Sequence, residues 1–501
     1  MKKIYFYSFC SAFILFLSSF VFGFWLLGFI AIVPYFYILN ENKQVSLKSI
    51  FWSSFLFGFI FSFLIFGSVL YSCALLLFII ALVCAIFFGI FGVVYTQIKQ
   101  NNIYDVLIFA SLWVIFEFVR QLVFQDYDYT MVAFIAHSFN PILSFASIGG
   151  RFLVSFIIVL TNAFIGYFII NSINKKSIKV LIVCFFVLLF IGFSNNVYLK
   201  SGNGSGTEIS FSSIQSKNFN EYSEMKDGVF VLNSATESLI GEAVKNHPDY
   251  IIYPFNIVKL ITIYKNNPFR NDYVSGTFED INNMFKKIIP PNTKFIHWSD
   301  TVREEEGYNI FDETDFFLNG TTTNYYQKRN IHPFYELTSD YFRGGGVIKY
   351  PYEYTASKED KLVIFDKVRF GNLNCSELNY SYLARHDSLL GANIILSVGN
   401  SSIFEDHVLG NAHLVLSQLR ATETNLPFIR SDMNSSSAFI NKKGVVVYEA
   451  KSDKDHFLSG KLFVEDNPKK TIYTYFGDYL FISLLFVYLF YIVLVKTQER
   501  H

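Results

Sequence analysis

The sequence predicts a polytopic α-helical membrane protein into which one α/β domain is inserted. Three observations predict it. The chain has 501 residues, is 52% hydrophobic and has a mean hydropathy of +0.34, so it departs from an ordinary soluble composition. Its apolar residues are gathered into Phe-, Leu-, Ile- and Val-rich runs over residues 4–198 and again over 472–495. Between about residues 206 and 465 the pattern changes to alternating strand-like and helix-like segments.

In chain order, the apolar runs near 4–22, 24–40, 50–72, 75–97, 103–124, 152–172, 178–198 and 472–495 read as membrane spans. Each approaches the roughly 20 residues that cross a hydrocarbon core. A span must satisfy its own backbone hydrogen bonds, so each is expected to be helical. Met1-Lys2-Lys3 and the run behind it have the charge order of a signal peptide, but no small-residue cleavage site follows, so an uncleaved first span is expected. Lys2, Lys3, Lys43, Lys48, Lys99, Lys175, Lys176, Lys179, Lys496 and Arg500 fall in alternate loops. The positive-inside rule then puts both termini in the cytoplasm and the polar block outside. Expected domains are residues 1–200 with about seven spans, 201–468 as the extracytoplasmic domain, and 469–501 as a closing span and short tail. The 41 basic and 41 acidic residues balance, which gives no indication of a nucleic-acid partner.

Within the polar block, residues 208–215 read as a strand, 228–246 as a helix and 249–254 as a buried strand. A helix near 277–288 and a strand at 294–298 follow. Extended segments are expected near 308–318 and 361–374, a helix after Cys375, and a helix over 408–424. Strands near 392–398, 428–432 and 437–448 complete the block. It contains no zinc-type spacing and no phosphate-binding glycine loop, so no cofactor or metal is expected.

Cys10, Cys73, Cys84 and Cys184 lie in apolar runs; Cys375 alone lies in the polar block. It therefore has no disulfide partner within the domain and is either an inert buried side chain or a nucleophile. Its place after an extended run and before a helix suits a nucleophile, which must be exposed at a sharp turn beside a base and an oxyanion donor. Lys328 and Glu336 bracket an aromatic turn around Pro333; the lysine reads either as a fixed cation or as a solvated surface side chain.

These residues carry a resemblance. The Trp113…Glu117…Arg120 helix, Asn140-Pro141 and Ala146-Ser-Ile-Gly-Gly150 resemble segments of the apolipoprotein N-acyltransferase family, the integral membrane members of the nitrilase superfamily. So do Ile214-Gln215, Tyr326-Gln-Lys328…Pro333-Phe-Tyr-Glu336, Asn374-Cys-Ser-Glu377 and His413…Gln418-Leu-Arg-Ala-Thr-Glu423…Pro427…Arg430. The resemblance covers nearly the whole chain. It implies a nitrilase-like α-β-β-α sandwich on the outer face of a bacterial inner membrane. It also implies a relay in which Cys375 takes an acyl chain from a phospholipid and passes it to the α-amino group of a diacylglyceryl-cysteine on an apolipoprotein. Lys328 would stabilise the oxyanion, and Glu336 and Glu377 would support the site or serve as base. A monomer is expected.

One departure stands out. The family places a general-base glutamate where this chain has Phe255, after Tyr253-Pro254. A phenyl ring accepts no proton, and general-base catalysis is worth about 10²–10⁴-fold. Three accounts stay open: another carboxylate serves, the thiolate forms without a dedicated base, or the protein is a catalytically impaired relative that binds lipid or lipoprotein. In the membrane region, Glu117 and Arg120 share a helix face and can pair, as a structural ion pair or at the mouth of a lipid-accessible cleft. His137, His407 and His413 form no metal set by spacing.

Overall fold

The computed structural model describes residues 2–41, 45–69, 74–124, 129–171, 190–194, 205–215, 223–226, 229–232, 234–254, 286–303, 309–319, 321–331, 355–400, 407–433, 435–451 and 456–498. The chain forms two compact units, Met1–Ser201 with Thr471–His501, and Gly202–Lys470.

In the first unit five described helices are long and apolar enough to cross a membrane by length and composition: Leu47–Ser68, Ala74–Ile98, Tyr104–Val123, Ala146–Ile170 and Tyr479–Gln498. Lys2–Ser18 is a 17-residue apolar helix. The run expected as a span at 24–40 is broken: a 3-10 turn at Trp25–Phe29 precedes a short helix at Val33–Asn40, with Pro34 in its first turn. The break is tolerated because buried Asn162 closes it. Its Nδ2 donates to the Gly28 carbonyl at 2.8 Å, and its Oδ1 accepts from the Ile32 N–H at 2.9 Å. Helices Leu47–Val69 and Ala74–Ile98 approach closely, with Gly89 against the Phe51 ring and Gly92 against Ser54. The Glu117 carboxylate accepts from Trp113 Nε1 at 3.1 Å and from the Val132 N–H at 2.9 Å, which ties its helix to the following 3-10 turn. The Arg120 guanidinium lies 4.7 Å from the Phe88 ring. The expected span at 178–198 falls almost wholly outside the described residues.

The second unit is built from fourteen described strands: β1 (Gly206–Gln215), β2 (Ser223–Lys226), β3 (Val229–Leu232), β4 (Tyr250–Tyr253), β5 (Lys294–Arg303), β6 (Asn309–Leu318), β7 (Thr321–Gln327), β8 (Val363–Phe365), β9 (Val368–Asn372), β10 (Ile394–Asn400), β11 (Phe428–Met433), β12 (Ser437–Ile440), β13 (Val446–Ala450) and β14 (His456–Glu465). One sheet runs β14-β1-β4-β5-β6-β7, a second runs β13-β12-β11-β10-β9-β8, and β2 and β3 form a separate ribbon. Side chains alternate across each strand. Phe211, Tyr250, Ile252, Ile296, Phe316 and Tyr326 of the first sheet therefore meet Phe365, Phe370, Ile394, Leu396, Ile429 and Phe439 of the second in one buried core. The opposite face of the first sheet packs Ile214, Ile251, Tyr253 and Phe295 under Ile240 and Ala243 of helix Ser234–Lys245. Helices Ser381–Leu390 and His407–Thr424 pack on the second sheet. The result is the α-β-β-α sandwich expected of a nitrilase-like domain.

The expected helix at 228–246 begins only at Ser234, because Val229–Leu232 pairs as a strand with Ser223–Lys226. The expected strand at 437–448 is two strands, folded back where Asn441 N–H donates to the Val445 carbonyl and Gly444 takes φ +75°.

Two predictions follow from these contacts. Asn162→Leu orphans a backbone donor and a backbone acceptor, each worth about 1–3 kcal/mol when buried, so the thermal unfolding midpoint in detergent should fall. An unchanged midpoint would mean that the break is held some other way. Burial lowers His297 to about 4, against its bond to the Trp298 carbonyl and the charge of Glu313. The unfolded chain then binds the extra proton between pH 6.5 and 4. Stability is fully present above the unfolded value and should drop by about 3 kcal/mol as pH falls through that window. His297→Gln should flatten this part of the pH–stability curve.

Candidate active site

Cys375 comes three residues after the end of β9 and opens a single 3-10 turn, Cys375–Asn379, before the helix Ser381–Leu390 begins. Its backbone sits at φ +49°, the left-handed region that costs an L-residue about 1–2 kcal/mol. Strain of this kind persists only where surrounding contacts over-determine it. Here the neighbour is Gly399 of β10: a Cβ built on it would lie 3.4 Å from the Cys375 Cα and 2.9 Å from the Asp432 carboxylate. The thiol-bearing residue is half-buried.

The two residues flanking Cys375 on this turn tie it to the first sheet. Asn374 Nδ2 donates to Asp312 Oδ1 at 2.7 Å, and Asn374 Oδ1 accepts from Thr314 Oγ1 at 2.7 Å. Glu377 is fully buried, and its carboxylate accepts four hydrogen bonds. Oε1 takes the backbone N–H groups of Arg329 at 2.7 Å and Asn330 at 3.0 Å. Oε2 takes the Tyr326 hydroxyl at 2.7 Å and the Asn374 N–H at 2.8 Å. Burial pushes the Glu377 carboxyl up, opposed by the charges of Arg329 and Lys328. The Tyr326 phenol is held well above its ordinary range by burial and then by the Glu377 charge, so it keeps the proton it donates.

Lys328 is the first residue beyond β7 and is completely buried. Its N–H donates to the Asp312 carbonyl at 2.9 Å, continuing the register that pairs Thr314 with Tyr326. Its Nζ lies 3.4 Å from Asp312 Oδ2. Asp312 Oδ1 also accepts from Trp298 Nε1 at 2.6 Å. The next residue, Arg329, is locked by a two-pronged pair with Asp387 at 2.8 and 3.0 Å, and by Asp360 at 2.9 Å. Lys328 therefore leaves the sheet between two fixed points.

The structure thus gathers Cys375, Lys328 and Glu377 at one end of the two-sheet core. Glu336 and Phe255 lie outside the described residues. The expected helix N-terminus behind the thiol is a five-residue 3-10 turn, too short to carry an appreciable dipole. Asp312 was not anticipated. The available signal was strand alternation, which puts Asp312, Thr314 and Phe316 on the face that looks toward the second sheet.

Residues 11–164 match the family described as apolipoprotein N-acyltransferase N-terminal domain, and residues 297–462 match carbon-nitrogen hydrolase. The chain is 24% identical over 536 residues to apolipoprotein N-acyltransferase 1 of Treponema denticola, covering 95% of this chain and 93% of that one. It is 25% identical over 516 residues to apolipoprotein N-acyltransferase of Borreliella burgdorferi, covering 95% and 91%. These alignments run through both matched regions of this chain. The chain is similar to apolipoprotein N-acyltransferases along nearly its whole length. The carbon-nitrogen hydrolase match runs from His297 in β5 to Leu462 in β14 and so includes Lys328, Cys375 and Glu377.

Because Glu377 joins two chain segments through one carboxylate, Glu377→Gln converts an acceptor oxygen into a donor that faces donors. The cost should be about 2–4 kcal/mol, read as a lower unfolding midpoint. The thiol of Cys375 should also react faster with a bulky maleimide as its turn loosens. A variant as stable and as slow to react as the unsubstituted protein would contradict this account.

Proposed function

We propose that this chain moves an acyl chain from a phospholipid to the N-terminal amine of a diacylglyceryl-cysteine on an apolipoprotein, through a thioester on Cys375. The observation that carries the reading is the left-handed, half-buried Cys375 held in the same bonded network as the buried ammonium of Lys328. The family and the names of the relatives support it.

In the first half-reaction the Cys375 thiolate attacks the ester carbonyl. A tetrahedral oxyanion forms beside Lys328 and collapses, the ester C–O bond breaks, and the lysophospholipid leaves as its alcohol after protonation. In the second, the substrate amine attacks the thioester, the C–S bond breaks and an amide forms, with the amine proton lost to a base. Glu377 acts as a support, since its oxygens are occupied by four donors. That leaves Glu336 as the base among the residues anticipated from the sequence. The apolar helices would anchor the enzyme in the bacterial inner membrane, with the catalytic unit on the outer side where exported lipoproteins arrive. The working form would be a monomer.

A second reading rests on Phe255, which stands where the family has its base: a lipid- or lipoprotein-binding relative with impaired turnover. Incubation with phospholipid carrying a labelled acyl chain separates the two. The acyl-relay reading expects a hydroxylamine-sensitive adduct on Cys375 that disappears in Cys375→Ala. It expects adduct formation to slow by about 10²–10³-fold in Lys328→Met, the usual cost of removing an oxyanion donor. A folded protein that binds the lipid and forms no adduct would favour the second reading.

A further inference from the structure

We infer that Asp312 is the positioning residue of this centre, holding the Lys328 ammonium and the Cys375 turn in one fixed arrangement and acting on the chemistry through Lys328. The inference rests on the acyl-transfer reading above and adds a residue to it.

Four observations carry it. Asp312 is 2% exposed, and a carboxylate so buried persists only where donors or cations satisfy it. Its Oδ1 is used twice, by Trp298 Nε1 from β5 at 2.6 Å and by Asn374 Nδ2 at 2.7 Å, so the carboxylate plane is fixed from two sides. That leaves Oδ2 directed at Lys328 Nζ, 3.4 Å away. Asp312 and Lys328 also face each other across antiparallel strands, joined by the 2.9 Å backbone bond, so the pair is set by the sheet and not by flexible side chains alone.

The consequence is mechanical. Asn374 is covalently next to the nucleophile, and Lys328 is the proposed oxyanion donor. One carboxylate therefore sets the relative position of the attacking sulfur and the cation that must meet the developing charge. Glu377 ties the same two segments through backbone groups, whereas Asp312 reaches the lysine head group directly. A shift of an ångström in such an arrangement costs about 10²-fold in rate.

The test is a single-turnover measurement of Cys375 acylation by labelled phospholipid, using the full-length protein in detergent–lipid micelles. Asp312→Asn keeps the shape and an acceptor for Trp298 and Asn374, but turns an amide toward the ammonium. Acylation should slow by about 100-fold, with the dependence on phospholipid concentration unchanged, and Asp312→Glu should recover part of the rate. In a Lys328→Met background, Asp312→Asn should cost no more than about twofold, because the residue acts through the lysine. Trp298→Phe is a milder version that loosens Asp312 without removing it. Should Asp312→Asn fail to fold, the same pattern is expected of Trp298→Phe: a loss with Lys328 present that vanishes without it. Losses that multiply across the two backgrounds, or an Asp312→Asn rate within about twofold of the unsubstituted protein, would overturn the inference while leaving the relay standing. Absence of an adduct on the unsubstituted protein would overturn both.

Discussion

The end of the sandwich that holds Cys375 and Lys328 depends on one buried carboxylate. Glu377 is taken out of water and given four donors in exchange: a phenol, two backbone N–H groups after β7, and the N–H of the residue before the thiol. Each hydrogen bond to a charged acceptor is worth about 1.5–3 kcal/mol, which offsets a desolvation cost of several kcal/mol. The balance is favourable only when all four donors are in place. The turn carrying Cys375 and the strand exit carrying Lys328 are therefore assembled together or not at all.

The rest of the second unit can be read as a scaffold for that junction. The rows of Phe, Ile and Leu between the two sheets fix the spacing of the strands. The same inward-facing rows then end in polar residues: Phe316, Thr314 and Asp312 on β6, Tyr326 and Lys328 along and beyond β7. Nothing in the strand geometry changes along such a row; only the chemistry of the side chains does. The Arg329–Asp387 pair serves the same purpose from the other side, by holding the residue next to Lys328 to the helix Ser381–Leu390.

The membrane architecture, the sandwich, and the gathering of Cys375, Lys328 and Glu377 were legible in the sequence. Apolar runs and strand–helix alternation carry the first two, and short motifs carry the third. What escaped was information held only in space. Asp312 is distant from both Lys328 and Asn374 along the chain; the β6–β7 register brings it to the first, and the facing of the two sheets brings it to the second. Strand β7 itself, Thr-Thr-Thr-Asn-Tyr-Tyr-Gln, has little hydrophobic alternation, so its pattern does not mark it as a strand. The break at Trp25–Asn40 escaped for a similar reason. Hydropathy sees a continuous apolar run, and the polar side chain that makes the break affordable, Asn162, lies 130 residues from the Ile32 N–H it accepts from.

The left-handed backbone at Cys375 also limits which side chains this position can hold over evolutionary time. A branch at Cβ clashes with its own carbonyl in that region of conformational space, so threonine is barred on steric grounds whatever its chemistry. A change from thiol to hydroxyl at this position could pass only through serine. Lineages that lost the thiol would thus be expected to carry serine, glycine, alanine or asparagine there, and not a branched residue.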